Sequence, residues 1–166
     1  MTSGFNVNGV FEVRCLRPIV TTVAGAFGER NQKVDGIGSE VRFLGSQALV
    51  FDQAGNLWTG DGCRILKISG LSAGFEFYPS GRVETVYDDD CVSEGLNGAP
   101  DMVFDQEGNL YVVDGDGSKV AKVTDPGTPD MVVSTFAGSE LYGYADGNGT
   151  SALFRSAYTI AIDASG

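Results

Sequence analysis

Residues 35–43 and 48–55 carry a sequence pattern that returns 111 residues later with no insertion or deletion. The first copy reads DGIGSEVRF followed by ALVFDQAG, and the second copy, over residues 146–154 and 159–166, reads DGNGTSALF followed by TIAIDASG. Self-similarity at a fixed period is the sequence signature of repeat architectures, in which each period is one supersecondary unit. The chain is therefore expected to stack similar units.

A copy between these two halves the period. Residues 52–58 read DQAGNLW and return 53 residues later as DQEGNLY over 105–111, while Asp163 begins the third copy 58 residues further on. Asp52, Asp105 and Asp163 recur at the same position, where an Asp can accept bonds from the amides of the turn that follows. We expect these three carboxylates to have this structural task in every unit.

Each period contains four short apolar runs. The first run, at 48–51, 102–104 and 159–162, is apolar nearly throughout, as expected of a strand buried on both faces. The other three runs alternate more or follow turn signals, and they lie at 57–59 and 110–113, at 64–68 and 119–123, and at 83–87 and 131–136.

Four antiparallel strands in units of about 50 residues are typical of β-propeller blades. The sequence thus predicts an all-β fold, a β-propeller segment of four-stranded antiparallel blades. Residues 1–166 are expected to form one partial propeller, with the end of one blade at 1–25, blades at 48–87 and 101–137, and the start of the next at 146–166.

The order of these elements resembles the NHL-repeat family. The similarity lies in the Asp-Gly-x-Gly segments, in the Asp-x-x-Gly-Asn-Leu-aromatic turn and in the Ala-Gly ends of the fourth strand at 24–25 and 137–138. The resemblance implies a six-bladed propeller. It also implies a Pro before the first strand, which is present only as Pro100, whereas Gln47 and Tyr158 occupy the equivalent positions.

Net charge and composition limit the classes of partner that the chain is expected to bind. The net charge of −11 disfavours nucleic acid and anionic membranes, and no apolar run is long enough to insert into a membrane. The first residues show no signal-peptide pattern, and no compartment is predicted. The three cysteines Cys15, Cys63 and Cys91 are expected to be small buried thiols, with one disulfide and a spare thiol as the alternative.

Few residues suggest catalysis or metal binding. The chain has no histidine, so a Ser-His-Asp site within it is excluded, and we predict no catalytic residue in this segment and no cofactor. Calcium is the alternative, held by carboxylates that cluster in sequence: Asp88, Asp89, Asp90, Asp114 and Asp116. A solvated acidic loop and a hairpin turn are the readings that we favour for these residues.

These observations predict a scaffold that binds a protein, a glycan or another ligand through loops on one face. Aromatic residues in the loops that do not repeat are the candidate anchors: Phe75, Phe77, Tyr78, Tyr142 and Tyr144. Trp58 and Tyr111 are instead expected to pack between units.

Two alternatives stay open. One is a metal-dependent propeller hydrolase or lyase, a lactonase-like enzyme, to which Asp101 and Glu94 would contribute. The other is a half-propeller that self-associates to close a ring, because an open propeller exposes strand edges and apolar faces.

Overall fold

The structure is a computed structural model that describes residues 22–26, 32–71, 81–90, 95–115 and 118–163. This part of the chain is all-β, with nine strands and two short 3₁₀ helices at Gly38–Glu40 and Gly149–Ser151. The strands are β1 Gly36–Ile37, β2 Val50–Phe51, β3 Leu57–Asp61, β4 Arg64–Ser69, β5 Arg82–Asp88, β6 Met102–Phe104, β7 Leu110–Val113, β8 Lys119–Thr124 and β9 Val132–Gly138.

The strands form two antiparallel sheets that follow chain order. The first sheet has the order β1-β5-β4-β3-β2 and the second has the order β6-β7-β8-β9. We call β2–β5 the first unit and β6–β9 the second unit. Both units have a register shift between their third and fourth strands, at Ile65/Leu66 and at Val120/Ala121. The repeat in sequence is therefore a repeat in backbone structure, including its irregularity.

Most of the predicted strands are confirmed, and three expectations are wrong. The first sheet has five strands, because the Asp-Gly-x-Gly segment adds β1 beside β5, where Gly36 pairs with Val83. Residues 159–162 are not a strand, since they make no ladder with a neighbour among the described residues. The apolar run 48–51, which contains β2, is not buried on both faces, because Leu49 and Phe51 are 67% and 61% exposed.

The main core lies between the two units. Trp58 of β3 is buried against Phe104 of β6, with the ring centroids 5.5 Å apart in an edge-to-face arrangement. Buried side chains of the second sheet, among them Leu110 and Val112, continue the same cluster. Trp58 thus packs between units, as predicted. Its equivalent Tyr111 meets Phe136 edge to face, and the apolar pocket beside it is also lined by Ile160 and Ile162.

A glycine permits the closest approach between the units. A β-carbon added to Gly60 in β3 would lie 2.4 Å from the β-carbon of Ala99 and 2.5 Å from its carbonyl oxygen. Ala99 belongs to the segment that leads into β6, so the absence of a side chain at Gly60 lets this segment pack directly on the first sheet.

The two Asp-Gly-x-Gly segments have the same local structure. Val34 bridges to Arg42, and Ala145 bridges to Leu153 at the equivalent positions. Gly38 and Gly149 both have a left-handed backbone, with φ of 57° and 54°, and each begins a 3₁₀ helix. The segments are structural turns, as expected. The blade end predicted at 1–25 lies mostly outside the described residues.

Candidate ligand-binding cavity

A cavity of about 470 Å³ lies where the first strands of the units begin. We call it the amino-end cavity. The segments that precede β2 and β6 line it together with Tyr158 and with the turns between the second and third strands. Its lining residues are Leu44, Gly45, Gln47, Gly62, Cys63, Asn97, Gly98, Pro100, Gly115 and Tyr158.

Equivalent residues of three successive repeats meet in this cavity. Gln47, Pro100 and Tyr158 each immediately precede a first-strand segment, and all three line the cavity. The sequence repeats the position but varies the side chain, giving an amide, an aliphatic ring and a phenol. Such variation is expected where a binding site is built on a repeated scaffold. The repeated fold fixes the backbone position, whereas recognition of a ligand depends on which side chain stands there.

A buried carboxylate holds the first of the lining segments. Asp61, fully buried at the end of β3, accepts hydrogen bonds from the backbone nitrogens of Leu44 at 3.0 Å and Gly45 at 2.7 Å. Arg64 at the start of β4 is also buried, and its Nη2 forms an ion pair with Asp61 Oδ2. Arg64 Nη1 also lies 3.9 Å from Asp35 Oδ1. The carboxylate charge is thus matched by a buried cation and by backbone donors.

The second unit repeats this support with different residues. Asp114 directly follows the last residue of β7 and accepts a long hydrogen bond of 3.4 Å from the backbone nitrogen of Asn97. Lys119 replaces the arginine, with its Nζ 3.8 Å from Asp114 Oδ2 and 2.5 Å from Glu140 Oε1. Asp114 is therefore a positioning residue for the second lining segment, and the calcium alternative gains no support from its surroundings.

The basic partners Arg64 and Lys119 were missed by sequence reasoning. Each basic residue follows its carboxylate across a hairpin turn. The turn between Asp114 and Lys119 is two residues longer than the turn between Asp61 and Arg64. The available signal was an Asp at the end of each second strand and a basic residue at the start of each third strand, in both units.

Asp52 and Asp105 cap their turns, as predicted. Asp52 Oδ1 accepts a hydrogen bond of 2.8 Å from the backbone nitrogen of Asn56, and Asp52 Oδ2 accepts one of 2.9 Å from Trp58 Nε1. Burial raises the pKa of Asp52, but the bonds from Asn56 and Trp58 outweigh burial and hold this pKa below its ordinary value. In Asp105 the bonds from Asn109 likewise outweigh burial, so its pKa is also lowered.

A second cavity, of about 240 Å³, lies at the other end of the first strands. It is lined by equivalent residues of three repeats: Phe51, Asp52, Gln53, Phe104, Asp105, Gln106, Ile162 and Asp163. Gln53 Nε2 donates to the carbonyl oxygen of Gln106 across it at 2.8 Å. We call it the carboxyl-end cavity. Both ends of the three first-strand segments therefore converge, so these segments lie side by side.

The acidic run at 88–90 is held by protein groups. Lys33 Nζ lies 2.8 Å from Asp88 Oδ1 and 2.7 Å from Asp90 Oδ1. Asp89 Oδ2 accepts the hydroxyl of Tyr87 at 2.9 Å and the backbone nitrogen of Leu96 at 2.6 Å. The Asp90 side chain is nevertheless 86% exposed, so the interpretation of this run as a solvated acidic loop stays a prediction.

Metal binding has no further geometric support in the described part of the chain. No group of three or more His, Cys, Asp or Glu side chains there is arranged to hold a metal ion. Asp116, the last of the calcium candidates, lies outside the described residues. Asp101, a candidate for the enzyme alternative, accepts the backbone nitrogens of Met102 at 2.9 Å and Ile160 at 3.0 Å. Glu94 lies outside the described residues.

The two aromatic loop candidates that the structure describes, Tyr142 and Tyr144, do not line the amino-end cavity. Tyr142 and Tyr144 are exposed, Tyr144 at 93%, and Tyr144 lines a separate surface groove with Leu153 and Phe154. Phe75, Phe77 and Tyr78 lie outside the described residues. Sequence reasoning found Tyr158 only as a repeat position, because its neighbours in the cavity come from segments about 60 and 110 residues away.

Cys63 lies at the edge of the amino-end cavity and is disulfide-bonded. The expectation of a buried free thiol is therefore wrong at this position. The other two cysteines of the chain, Cys15 and Cys91, lie outside the described residues. A disulfide persists in oxidising environments, and here it restrains the turn between β3 and β4.

Comparisons with known proteins leave the chain without an assigned family. Of the helices in the described ranges, neither is long and apolar enough to cross a membrane. No family model matches the chain, and no curated protein or solved structure matches it.

Proposed function

We propose that this chain is a segment of an NHL-type β-propeller that binds a ligand in its amino-end cavity and performs no catalytic step there. The observation that carries the proposal is the meeting of Gln47, Pro100 and Tyr158, three equivalent repeat positions, around one cavity. Units that are arranged around a common axis bring equivalent residues close together near that axis. In a propeller, ligand-binding sites are formed by the loops at the end of the axis.

The propeller geometry is supported by the way in which the units pack. Each unit is an antiparallel four-strand meander in chain order, and the first strands lie closest to one another. Phe104 of the second unit packs on Trp58 of the first, and Ile162 lies beside Tyr111 of the second. The same face of each first-strand segment thus meets the aromatic residue of the unit before it, a relation that can continue around a six-bladed ring.

The chemistry of the cavity supports binding. Its described lining offers two amides, a phenol and backbone groups of four glycines, and it has a volume in the range of about 300–1,000 Å³ that holds small ligands. The carboxylates Asp61 and Asp114 lie behind the lining segments and hold their backbone. A rigid, preorganised set of polar groups lowers the entropic cost of binding.

The proposal is tested by recording amide NMR spectra of the intact protein with a mixed library of small molecules. We expect at least one compound to shift the amide signals of cavity glycines such as Gly45 and Gly98. The signals of Gly55 and Gly108, which lie in turns at the opposite end of the first strands, are expected to stay in place.

A matched pair of variants locates the binding. Gln47→Trp fills the amino-end cavity and is expected to abolish the shifts, whereas Gln53→Trp fills the carboxyl-end cavity and is expected to leave them unchanged. The proposal is wrong if no compound shifts the cavity glycines, or if Gln47→Trp binds as well as the unmodified protein does while both remain folded.

A further inference from the structure

We infer that the ligand of the amino-end cavity is a neutral, polyhydroxylated molecule of the carbohydrate class. The inference rests on the proposed function, because it names the chemistry of the ligand for the same cavity. Three properties of the described lining carry it: the absence of charge, the presence of amide and phenol groups, and flat apolar surfaces beside them.

The described lining of the cavity disfavours charged ligands. None of the ten described lining residues is charged, although the chain as a whole has a net charge of −11. The two buried carboxylates that hold the lining segments already have basic partners, since Asp61 is paired with Arg64 and Asp114 lies near Lys119. An anionic ligand would find no cation on the described lining and would enter against the field of an acidic protein. A cationic ligand would find no carboxylate among the described lining residues to replace its water.

The polar groups of the lining suit hydroxyl groups. The side-chain amide of Gln47 and the hydroxyl of Tyr158 make no hydrogen bond to any residue that the structure describes, and both line the cavity. An amide and a phenol each donate and accept, and a sugar hydroxyl does the same. Several hydroxyl groups of one ligand can therefore form hydrogen bonds with these side chains, and none of the groups involved needs to be charged.

The apolar surfaces suit the C–H face of a sugar ring. The Tyr158 side chain is 67% exposed, and Pro100 and Leu44 also line the cavity. An aromatic face carries negative potential, which attracts the positively polarised hydrogens on the face of a pyranose. Polar groups beside flat apolar groups match a molecule that is itself polar at its edge and apolar on its face.

Saturation-transfer NMR on the intact chain provides the test. The probes are neutral sugars (glucose, galactose, mannose, xylose, fucose, N-acetylglucosamine and their β-linked disaccharides) and two charged relatives, glucuronate and glucosamine. We expect saturation transfer to the ring protons of at least one neutral sugar. The charged relative of a sugar that binds is expected to bind about tenfold more weakly, the factor that corresponds to 1.4 kcal/mol.

Matched variants separate recognition from folding. Tyr158→Phe removes only a hydroxyl and is expected to weaken binding by roughly two- to tenfold, the effect of one lost hydrogen bond. Tyr158→Ala is expected to abolish saturation transfer. Tyr144→Phe, which alters a tyrosine outside the cavity, is expected to bind as the unmodified chain does.

Two outcomes overturn the inference and are distinguishable from a failure of the proposed function. If library compounds shift the cavity glycines but no neutral sugar receives saturation, the cavity binds another class and only the inference fails. The same holds if glucuronate or glucosamine binds more tightly than the neutral sugars. If neither the library nor the sugars bind at the cavity glycines, both the inference and the proposed function fail.

Discussion

At the scale of single residues, Asp52 and Asp105 are capping groups whose ionised form is stabilised by the folded chain. Asp52 and Asp105 each accept bonds from the backbone and the side-chain amide of an asparagine four residues later. These bonds favour the ionised form, and they hold each pKa below the ordinary value despite the burial that opposes it.

A pH dependence of stability follows from these directions. Because the folded pKa of each group lies below its unfolded value, the stabilisation is fully present above about pH 4 and is lost as pH falls through the folded pKa. We expect Asp52→Asn and Asp105→Asn to lower the free energy of unfolding at pH 7 and to flatten its decline between pH 5 and pH 2. Urea denaturation across this range measures both effects.

The control is Asp130→Asn, which changes an exposed carboxylate in the β8–β9 loop and is expected to leave the profile unchanged. An acid decline in Asp52→Asn as steep as in the unmodified chain would show that the capping bonds do not favour the ionised form.

At the scale of elements, the two units use the same support at the second hairpin with unequal strength. Asp61 and Arg64 are both buried, whereas Lys119 reaches a more distant Asp114 and a largely exposed Glu140. A buried ion pair contributes little compared with apolar packing, but removal of one partner leaves the other charge uncompensated.

Removal of the Arg64 charge should therefore be costly. We expect Arg64→Met to lower the free energy of unfolding by about 3–5 kcal/mol, because it leaves Asp61 buried without its cation. Lys119→Met should cost less. Arg82→Met, which breaks an exposed pair with Glu84, should cost less than about 1 kcal/mol. Equal losses in Arg64→Met and Arg82→Met, by urea denaturation at neutral pH, would contradict this account of Asp61.

Sequence patterns predicted those elements whose causes are local. The strands of both units, the Asp-x-x-Gly-Asn turns and the packing role of Trp58 follow from alternation, turn chemistry and an aromatic residue at a repeated position. The pairing of β1 with β5, the Asp61–Arg64 pair and the amino-end cavity depend on segments that are brought together by tertiary structure. Periodicity within one segment contains no information about such neighbours. The resemblance to NHL repeats likewise concerns the unit, while the choice of ligand lies with residues that differ between units.

At the scale of the whole molecule, the first strand of the first unit presents an apolar surface. Leu49 and Phe51 occupy the positions of Met102 and Phe104, which pack on the unit before them, yet both are largely exposed. Strand β2 is also an edge of its sheet. Exposed edges and apolar faces favour association between chains.

We therefore expect the 17.4 kDa chain to self-associate with increasing concentration, as measured by light scattering after size-exclusion chromatography. The double substitution Leu49→Lys and Phe51→Lys should shift the population toward monomer, because charges on this face disfavour its burial. The matched control is Val132→Lys, at an exposed position of β9, which is an edge strand of the second sheet. A monodisperse monomer of the unmodified chain at about 200 µM, far above micromolar dissociation constants, would contradict the expectation.

The position of Trp58 gives the molecule an internal optical probe. It is the only tryptophan in the chain, and its indole lies between the two units, bonded to Asp52 and set edge to face with Phe104. Its fluorescence therefore reports contact between neighbouring units, while circular dichroism reports the sheets within them. In repeat proteins these two kinds of stability are separate contributions. A chain that separates its units before it unfolds them would change its emission first, so a single native chromophore can measure the cohesion of the array.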